Sequence, residues 1–572
     1  MSSCIVQRSR AADGQFPAGL HPVLQRVYAA RAVKSADDLD TSLGRLIPPA
    51  ALGGLPAAVK LLQDALTNHH CIVIVGDFDA DGATSCALCV RALRAMGAGQ
   101  VHYLVPNRFE YGYGLTPEIV TVAAALQPDL IVTVDNGISS IDGVAAARQQ
   151  GISVLITDHH LPGEQLPAAD AIVNPNLVGD NFPSKHLAGV GVAFYVMLAL
   201  RARLREQGWF EKEAIPEPNL AQYLDLVALG TVADVVPLDR NNRILVQQGI
   251  QRMRAGHCAP GIRALLEVGG RQLARIVAAD LGFVVGPRLN AAGRLDDMSI
   301  GIECLLTDDA AAADQMAARL DGLNRERKEI ESDMQARALT AIAGLKLDDA
   351  QLPVGLCLYD PDWHQGVIGI LAARIKERFH RPVIAFARSG PGELKGSARS
   401  VTGLHIRDAL DAVAARHPDL IAKFGGHAMA AGLSLPEDHY PAFAAAFDEE
   451  VSRHLSRDEL SGVIYSDGEL SGQELSLETA QLLRDASPWG QGFPAPVFEG
   501  NFNVVSHRVV GQRHLKMTLS PERGGSQIDA IAFNTEVLPR GRQQVHLAYR
   551  LDVNEFRGII SPQLIVEYME AK

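Results

Sequence analysis

The run Gly76-Asp77-Phe78-Asp79-Ala80-Asp81-Gly82 places three carboxylates within five positions, directly after the apolar stretch Cys71–Val75. Like charges so crowded repel one another, and a solvated turn gains little from them, so a bound cation is the simpler reading. A calcium loop of the EF-hand type is excluded. Its twelfth position, which should carry a bidentate acid, is Leu88, and a strand-like run stands where a helix should precede it. Two further apolar runs end in the same way: Ile131–Val134 passes into Asp135-Asn136-Gly137, and Val154–Thr157 into Asp158-His159-His160. In an open parallel sheet the carboxyl ends of neighbouring strands line one crevice, so Asp77, Asp79, Asp81, Asp135, Asp158, His159 and His160 can converge there. Carboxylate oxygens and imidazole nitrogens without a thiolate suit a pair of Mn²⁺ or Mg²⁺ ions better than structural zinc. Two such ions roughly 3.5 to 4 Å apart activate a water and hold both reacting oxygens of a phosphoryl displacement. Phosphoester hydrolysis is therefore the expected reaction class.

Other residues extend the site without deciding it. Asp234 closes the apolar stretch Leu229–Val236, where an unpaired charge is costly; it either bridges the metals or caps a helix end. Arg108 follows the run Val101–Val105 and can fork onto a phosphate or form a surface ion pair. Gly286–Arg294 reads as a glycine-bounded loop carrying Arg288, Asn290 and Arg294, as compatible with phosphate contacts as with an ordinary turn. Lys395–Ser400, with Ser397 and Arg399, and Phe424–Gly432, with Gly426 and His427, read as small-residue loops that permit close backbone approach. His364, beside Trp363, either touches substrate or packs. Gly189-Val190-Gly191 lacks the third glycine of a dinucleotide fingerprint, and the Cys86/Cys89 pair, without a second pair, reads as helix packing.

The elements that must position these residues follow from periodicity. Short β-branched runs at Cys71–Val75, Val101–Val105, Leu130–Val134 and Ser153–Ile156 alternate with helical stretches at Thr84–Met96, Pro117–Leu126 and Ile141–Gln149, the pattern of a helix-wrapped parallel sheet. Asp308 to Ala343 reads as one long helix joining two lobes, and a second α/β segment follows. Short alternating strands from Val497 to Tyr568 predict a small β-barrel. At roughly 150 residues per domain, 572 residues allow three to four domains. With 53 basic and 66 acidic side chains the net charge is −13, so nucleic acid cannot coat the whole surface. A local basic region exists: 361–430 holds 10 basic and 6 acidic residues, net +4. The longest weakly polar run, Leu187–Leu200, is too short to span a bilayer, and the N-terminus lacks a secretory pattern. Seven scattered cysteines argue against a disulfide framework, so the expected address is the cytoplasm.

The segments GDFDADGATS (76–85), PNRFEYGYG (106–114), TVDNGIS (133–139), DHH (158–160), LGTVADVVPL (229–238), GPRLNAAGR (286–294), WHQGVIGI (363–370) and FGGHAMAAG (424–432) together resemble the DHH phosphoesterase superfamily, in its branch of single-stranded-DNA exonucleases. The resemblance implies an α/β fold with a parallel-sheet DHH lobe and a second α/β DHH-associated lobe joined by a long helix, followed by a C-terminal OB-type β-barrel. The implied division is an N-terminal segment (1–70), a catalytic domain (71–307), a connecting helix (308–345), a DHH-associated domain (352–455) and an OB domain (462–572). It further implies Asp79, Asp81, Asp135, His159 and Asp234 as metal ligands, Asp77 adjoining the metals, His160 beside the scissile phosphate, and Asp158 as a structural acceptor for the histidine pair. Arg108 with Arg288 or Arg294 is the implied holder of the 5′ end, and Asn290, His364, Lys395, Ser397, Arg399, Gly426 and His427 are further implied substrate contacts. The implied activity is 5′-to-3′ removal of mononucleotides from single-stranded DNA in recombination and repair. The enzyme would be a monomer served by a single-strand-binding protein and a repair helicase. A DHH phosphodiesterase acting on small nucleotides and a non-catalytic replication scaffold are the alternatives.

Overall fold

The computed structural model describes all residues except 1–3, 10–15, 18, 107–110, 112–113, 345–351, 456–459, 461, 512, 536–537, 539–543 and 557. Five parallel strands form the first sheet: β1 (Ile72–Gly76), β2 (Val101–Leu104), β3 (Leu130–Val134), β4 (Ser153–Thr157) and β5 (Ala171–Val173), in the order β2-β1-β3-β4-β5. Alternate residues of β1 enter two different cores. Ile72 and Ile74 pack with α1 (Ala80–Ala95) and α2 (Gly189–Glu206), while Val73 and Val75 pack against the helices Pro117–Ala124 and Ile141–Gln149. Burial on both faces explains why the central strands β1 and β3 are almost continuously apolar. The order places a topological switch point between β1 and β3, and the register pairs Gly76 with Val134 and Val134 with Thr157. The three acidic turns therefore start level with one another.

Contacts divide the chain into two compact units, residues 7–324 with 466–572, and residues 1–6 with 325–465. The first unit continues through α3 (Leu224–Ala233) and α4 (Gly286–Leu295), and the long helix α5 (Ala310–Gly344) begins in it and ends in the second. Gly286–Arg294 is thus helix and not the loop expected. A five-residue π-helical turn, Leu281–Val285, leads into it, and Pro287 lies in its first turn, where a missing N–H costs nothing.

In the second unit, β6 (Leu356–Tyr359), α6 (Ile368–Phe379), β7 (Val383–Gly390), β8 (Glu393–Arg399), β9 (Lys423–Gly426) and β10 (Ala430–Pro436) build a sheet of order β9-β10-β8-β7-β6. The two stretches read as small-residue loops are mostly strand, and Gly432 pairs with Ser397. Their small residues fit a crowded sheet: a methyl on Gly396 would meet the Phe386 ring at 2.5 Å.

The last segment returns to the first unit with β11 (Phe498–Val510), β12 (His514–Pro521), β13 (Ile528–Ala532), β14 (Gln544–Phe556) and β15 (Ile559–Ala571). Their pairings close a ring in the order β11-β12-β13-β15-β14. Barrel residues Phe498, Tyr549 and Leu551 share one core with Leu238, Leu266 and Leu55 of the preceding segments. Residues before 70, which carry no chemical motif, join that core too: the Tyr28 hydroxyl donates to the Ala486 carbonyl at 2.8 Å, and its ring lies 6.1 Å from Trp489. Within the polar stretch 206–218, Trp209 Nε1 donates to the Met96 carbonyl at 2.9 Å. Among the described residues no single helix is long and apolar enough to cross a membrane, and all seven cysteines are free, with Cys86 and Cys89 packed inside α1.

Candidate metal centre

The acidic turn after β1 is shaped by its own carboxylates. Asp79 caps α1, Oδ1 accepting from the Asp81 and Gly82 amides at 2.9 and 3.0 Å, and Asp77 Oδ1 accepts from the Phe78 amide. Such side-chain capping meets the first unpaired donors of a helix. Asp81 is fully buried, and its carboxylate receives the first amides of α2, Gly189 N at 2.6 Å and Val190 N at 3.0 Å. The glycine is obligatory there: a methyl on Gly189 would lie 2.5 Å from Asp135 Cβ. The Gly189-Val190-Gly191 segment, dismissed as a cofactor loop, thus has a use as an amide clamp on a carboxylate.

After β3, Asp135 adopts a left-handed backbone (φ 61°) that turns its side chain into the same space, and it is 1 % exposed. After β4, Asp158 Oδ1 accepts from the His159 and His160 amides and from His160 Nδ1 at 2.8 Å, while Oδ2 accepts from the Ile138 amide. Asp158 is thereby committed to holding the histidine pair. His159 Nε2 lies 3.1 Å from Asp135 Oδ1 and 3.5 Å from Asp234 Oδ2, so α3 delivers its terminal acid to the same point. Three overlapping sets have ligand atoms within 4.8 Å of one another: Asp135, His159 and His160; Asp81, His159 and Asp234; Asp77, Asp79 and Asp135. The structure brings together all seven residues placed at the metals or beside them.

The electrostatics show why the cluster suits cations. Burial, then repulsion from Asp79, pushes Asp81 up to about 7. Burial and the neighbouring acids hold Asp135 and Asp234 well above the usual carboxylate range. Burial also acts to raise Asp158, but the hydrogen bond and charge of His160 outweigh it and leave that acid below its usual value. Burial disfavours the His160 cation, yet Asp158, Asp77 and Asp79 together raise it to about 9. A hard oxygen-rich donor set with the His159 imidazole fits Mn²⁺ or Mg²⁺.

The residues outside the cluster divide. Arg108 lies outside the described residues. Arg288 pairs with Asp321 of α5 at 2.8 Å and donates to the Val284 carbonyl. Arg294 sits half-buried at the end of α4. Asn290 Oδ1 accepts from the Ala80 amide at 2.7 Å, which ties α4 to the acidic turn. A methyl on Gly293 would come 1.8 Å from the Phe78 carbonyl oxygen, so α4 packs directly on that turn.

In the second unit Lys395 is exposed on β8, and the His427 amide donates to the Ala430 carbonyl in the turn after Gly426. His364 Nδ1 accepts from the Gly366 amide and shapes the entry to α6. Arg399 is half-buried, and among the described residues its guanidinium donates only to the Ser397 hydroxyl at 3.2 Å and the Ala398 carbonyl at 2.8 Å; burial lowers its pKa. Sequence reasoning missed Asn174 and Asn176, whose amides reach the histidine pair. The signal for them was the Asn-Pro-Asn run that follows the fifth apolar strand.

Residues 71–231 match the DHH family, N-terminal domain; 351–453 match the DHHA1 domain; and 466–568 match the RecJ OB domain. The chain is 58% identical to the single-stranded-DNA-specific exonuclease RecJ of Dickeya dadantii over 99% of this chain and 98% of that one. It is 57% identical to that of Escherichia coli over 99% of each. The crystal structure of RecJ in complex with Mn²⁺ from Thermus thermophilus superposes with a TM-score of 0.79 at 32% identity, covering 97% of this chain and 76% of that one. Its counterpart with Mg²⁺ gives 0.73 at 30% identity, covering 97% and 75%. On this full-length agreement in sequence, fold and domain order, the chain belongs to the RecJ family of single-stranded-DNA-specific exonucleases.

Proposed function

We propose that the chain removes mononucleotides from the 5′ end of single-stranded DNA by metal-dependent phosphodiester hydrolysis, in DNA recombination and repair. The convergence of Asp77, Asp79, Asp81, Asp135, Asp234 and His159 at the carboxyl edge of the sheet carries this reading. Asp79, Asp81, Asp135, His159 and Asp234 would hold two ions, Mn²⁺ or Mg²⁺, with Asp77 beside them. Bound there, the ions supply an activated water and charge neutralisation for the phosphoryl group. The chain's own part is orientation: the Gly189 and Val190 amides fix Asp81, and Asp158 fixes the His160 ring. The Asp158 carboxylate, 2.8 Å from His160 Nδ1, favours the protonated ring, which would offer charge to a phosphate oxygen.

In the second unit a half-buried guanidinium without a carboxylate partner among the described residues, next to the first turn of α6, suits an anion, and Arg399 with Ser397 is accordingly assigned to the strand's phosphates. Arg399→Gln is expected to raise KM for a single strand by about tenfold to a hundredfold, the worth of a hydrogen bond to a charged group, with kcat little changed. Steady-state kinetics on an end-labelled strand check this. The same reading makes the enzyme a cytoplasmic monomer supplied with substrate by a repair helicase and by single-strand-binding protein.

The decisive experiment follows a strand labelled at either end, with a duplex of the same sequence as control, in Mn²⁺, in Mg²⁺ and in EDTA. The expected result is loss from the 5′ end as mononucleotides, an intact duplex and no reaction in EDTA. Equal loss in EDTA, or attack on the duplex alone, would contradict the proposal.

A further inference from the structure

We propose that Asn174 and Asn176 are positioning residues for the metal centre, forming a neutral bracket behind the two histidines. Both stand just past β5, the edge strand beside β4. The Asn174 amide Nδ2 donates to the His160 carbonyl at 2.9 Å, and the Asn176 Nδ2 donates to the His159 carbonyl at 2.6 Å. The bracket is itself tied. Asn174 Oδ1 accepts from the Asn176 amide at 2.8 Å, Lys185 Nζ donates to the Pro175 carbonyl at 2.6 Å, and the Asp158 amide donates to the Val173 carbonyl at 3.1 Å. Every residue from Val173 to Asn176 thus takes part in one network that ends on the Asp-His-His turn.

The choice of a carboxamide follows from the surroundings. The two carbonyls require N–H donors, which a carboxylate lacks, and a further negative charge would load a cluster of acids already held above their usual range. A lysine or arginine would compete with cations for the same acids. Asparagine donates without changing the charge. Asn174 and Asn176 hold the main chain on one side and Asp158 on the other, which fixes the point from which the rings project, with His159 Nε2 near both Asp135 and Asp234. Groups that hold metal ligands in this way typically change metal affinity by about tenfold to a hundredfold when removed.

This inference rests on the metal-centre reading, and its test separates the two. Mn²⁺ binding to the full chain is measured by titration calorimetry and by the Mn²⁺ electron paramagnetic resonance signal, for the parent chain and for Asn176→Ala, Asn176→Ser and Asp135→Ala. Metal-free thermal unfolding is followed in parallel. Asn176 is only half-buried, so its variants should fold. The expected result is Mn²⁺ affinity about ten- to a hundredfold weaker in Asn176→Ala, partly restored in Asn176→Ser, with metal-free unfolding close to that of the parent. Parent-like affinity in Asn176→Ala while Asp135→Ala fails to bind would overturn the bracket and leave the metal centre standing. So would weaker binding that only tracks a lower unfolding temperature. A parent chain that binds no Mn²⁺, or an Asp135→Ala chain that binds it normally, would overturn the metal-centre reading and the bracket with it.

Discussion

Asp135→Asn is expected to lower strand hydrolysis by about a thousandfold or more while leaving the metal-free chain at least as stable as the parent. The position has a left-handed backbone, which asparagine tolerates better than most residues, so the turn after β3 should survive. What changes is charge. Asp135 is buried among Asp77, Asp79, Asp81 and Asp234, which together with burial hold its carboxyl well above the usual range. Neutralising it relieves that repulsion in the absence of metal. With metal it removes a ligand shared by two of the three candidate sets. Losing a metal's contribution costs several kcal/mol, and each 1.36 kcal/mol is a tenfold change in rate. Single-turnover rates in Mn²⁺ and metal-free thermal unfolding give the two readouts. A rate loss below about tenfold would remove Asp135 from the reacting centre.

Asp467→Ala should cost the first unit about 3 to 5 kcal/mol, because it leaves a buried guanidinium uncompensated. Arg31 is almost fully buried and meets Asp467 through two hydrogen bonds of 2.9 and 3.0 Å. Its Nε donates to the Pro494 carbonyl, and the guanidinium lies 5.3 Å from the centre of the Trp489 ring. Asp467 also accepts from the Val497 amide at the start of the barrel segment. The pair therefore joins the first seventy residues to the last hundred. Replacing both partners together, as Arg31→Met with Asp467→Leu, should recover much of the loss, since the fully buried Arg31 charge is then gone and only the partly exposed Arg8, 3.9 Å from Asp467, loses a partner. Urea unfolding of the three chains measures both effects. A loss below about 1 kcal/mol for Asp467→Ala would mean that the two segments do not depend on this pair.

The candidate ligands were readable because of where they stand. Asp77, Asp135 and Asp158 each follow an apolar run within a residue or two, and a parallel sheet sets all such positions on one edge. Asp234 was less legible, since a helix end alone explains an acid there and it does follow the last turn of α3; its approach to His159 is what supports a ligand role. Gly286–Arg294 misled because its glycines looked like turn residues. They are small for another reason: α4 lies so close to the acidic turn that Gly293 touches the Phe78 carbonyl, and nothing nearby in sequence reports a neighbour two hundred residues away. The glycines of 395–400 and 424–432 misled in the same way, being sheet residues: Gly396 lies against the Phe386 ring and Gly426 against the Ala431 backbone.

The sequence alone thus determined the first four strands of the catalytic sheet, the acidic turns that end three of them and the chemistry those turns can perform, because hydrophobic period and residue type are local properties. The tertiary structure alone decided the partners. Asp81 meets the amides of a helix more than a hundred residues on, Arg288 turns to Asp321, Asn174 and Asn176 reach back to the histidines, and the barrel shares a core with the catalytic sheet. A buried polar group must find its complement somewhere, but which group provides it depends on packing between distant elements, which no local pattern encodes.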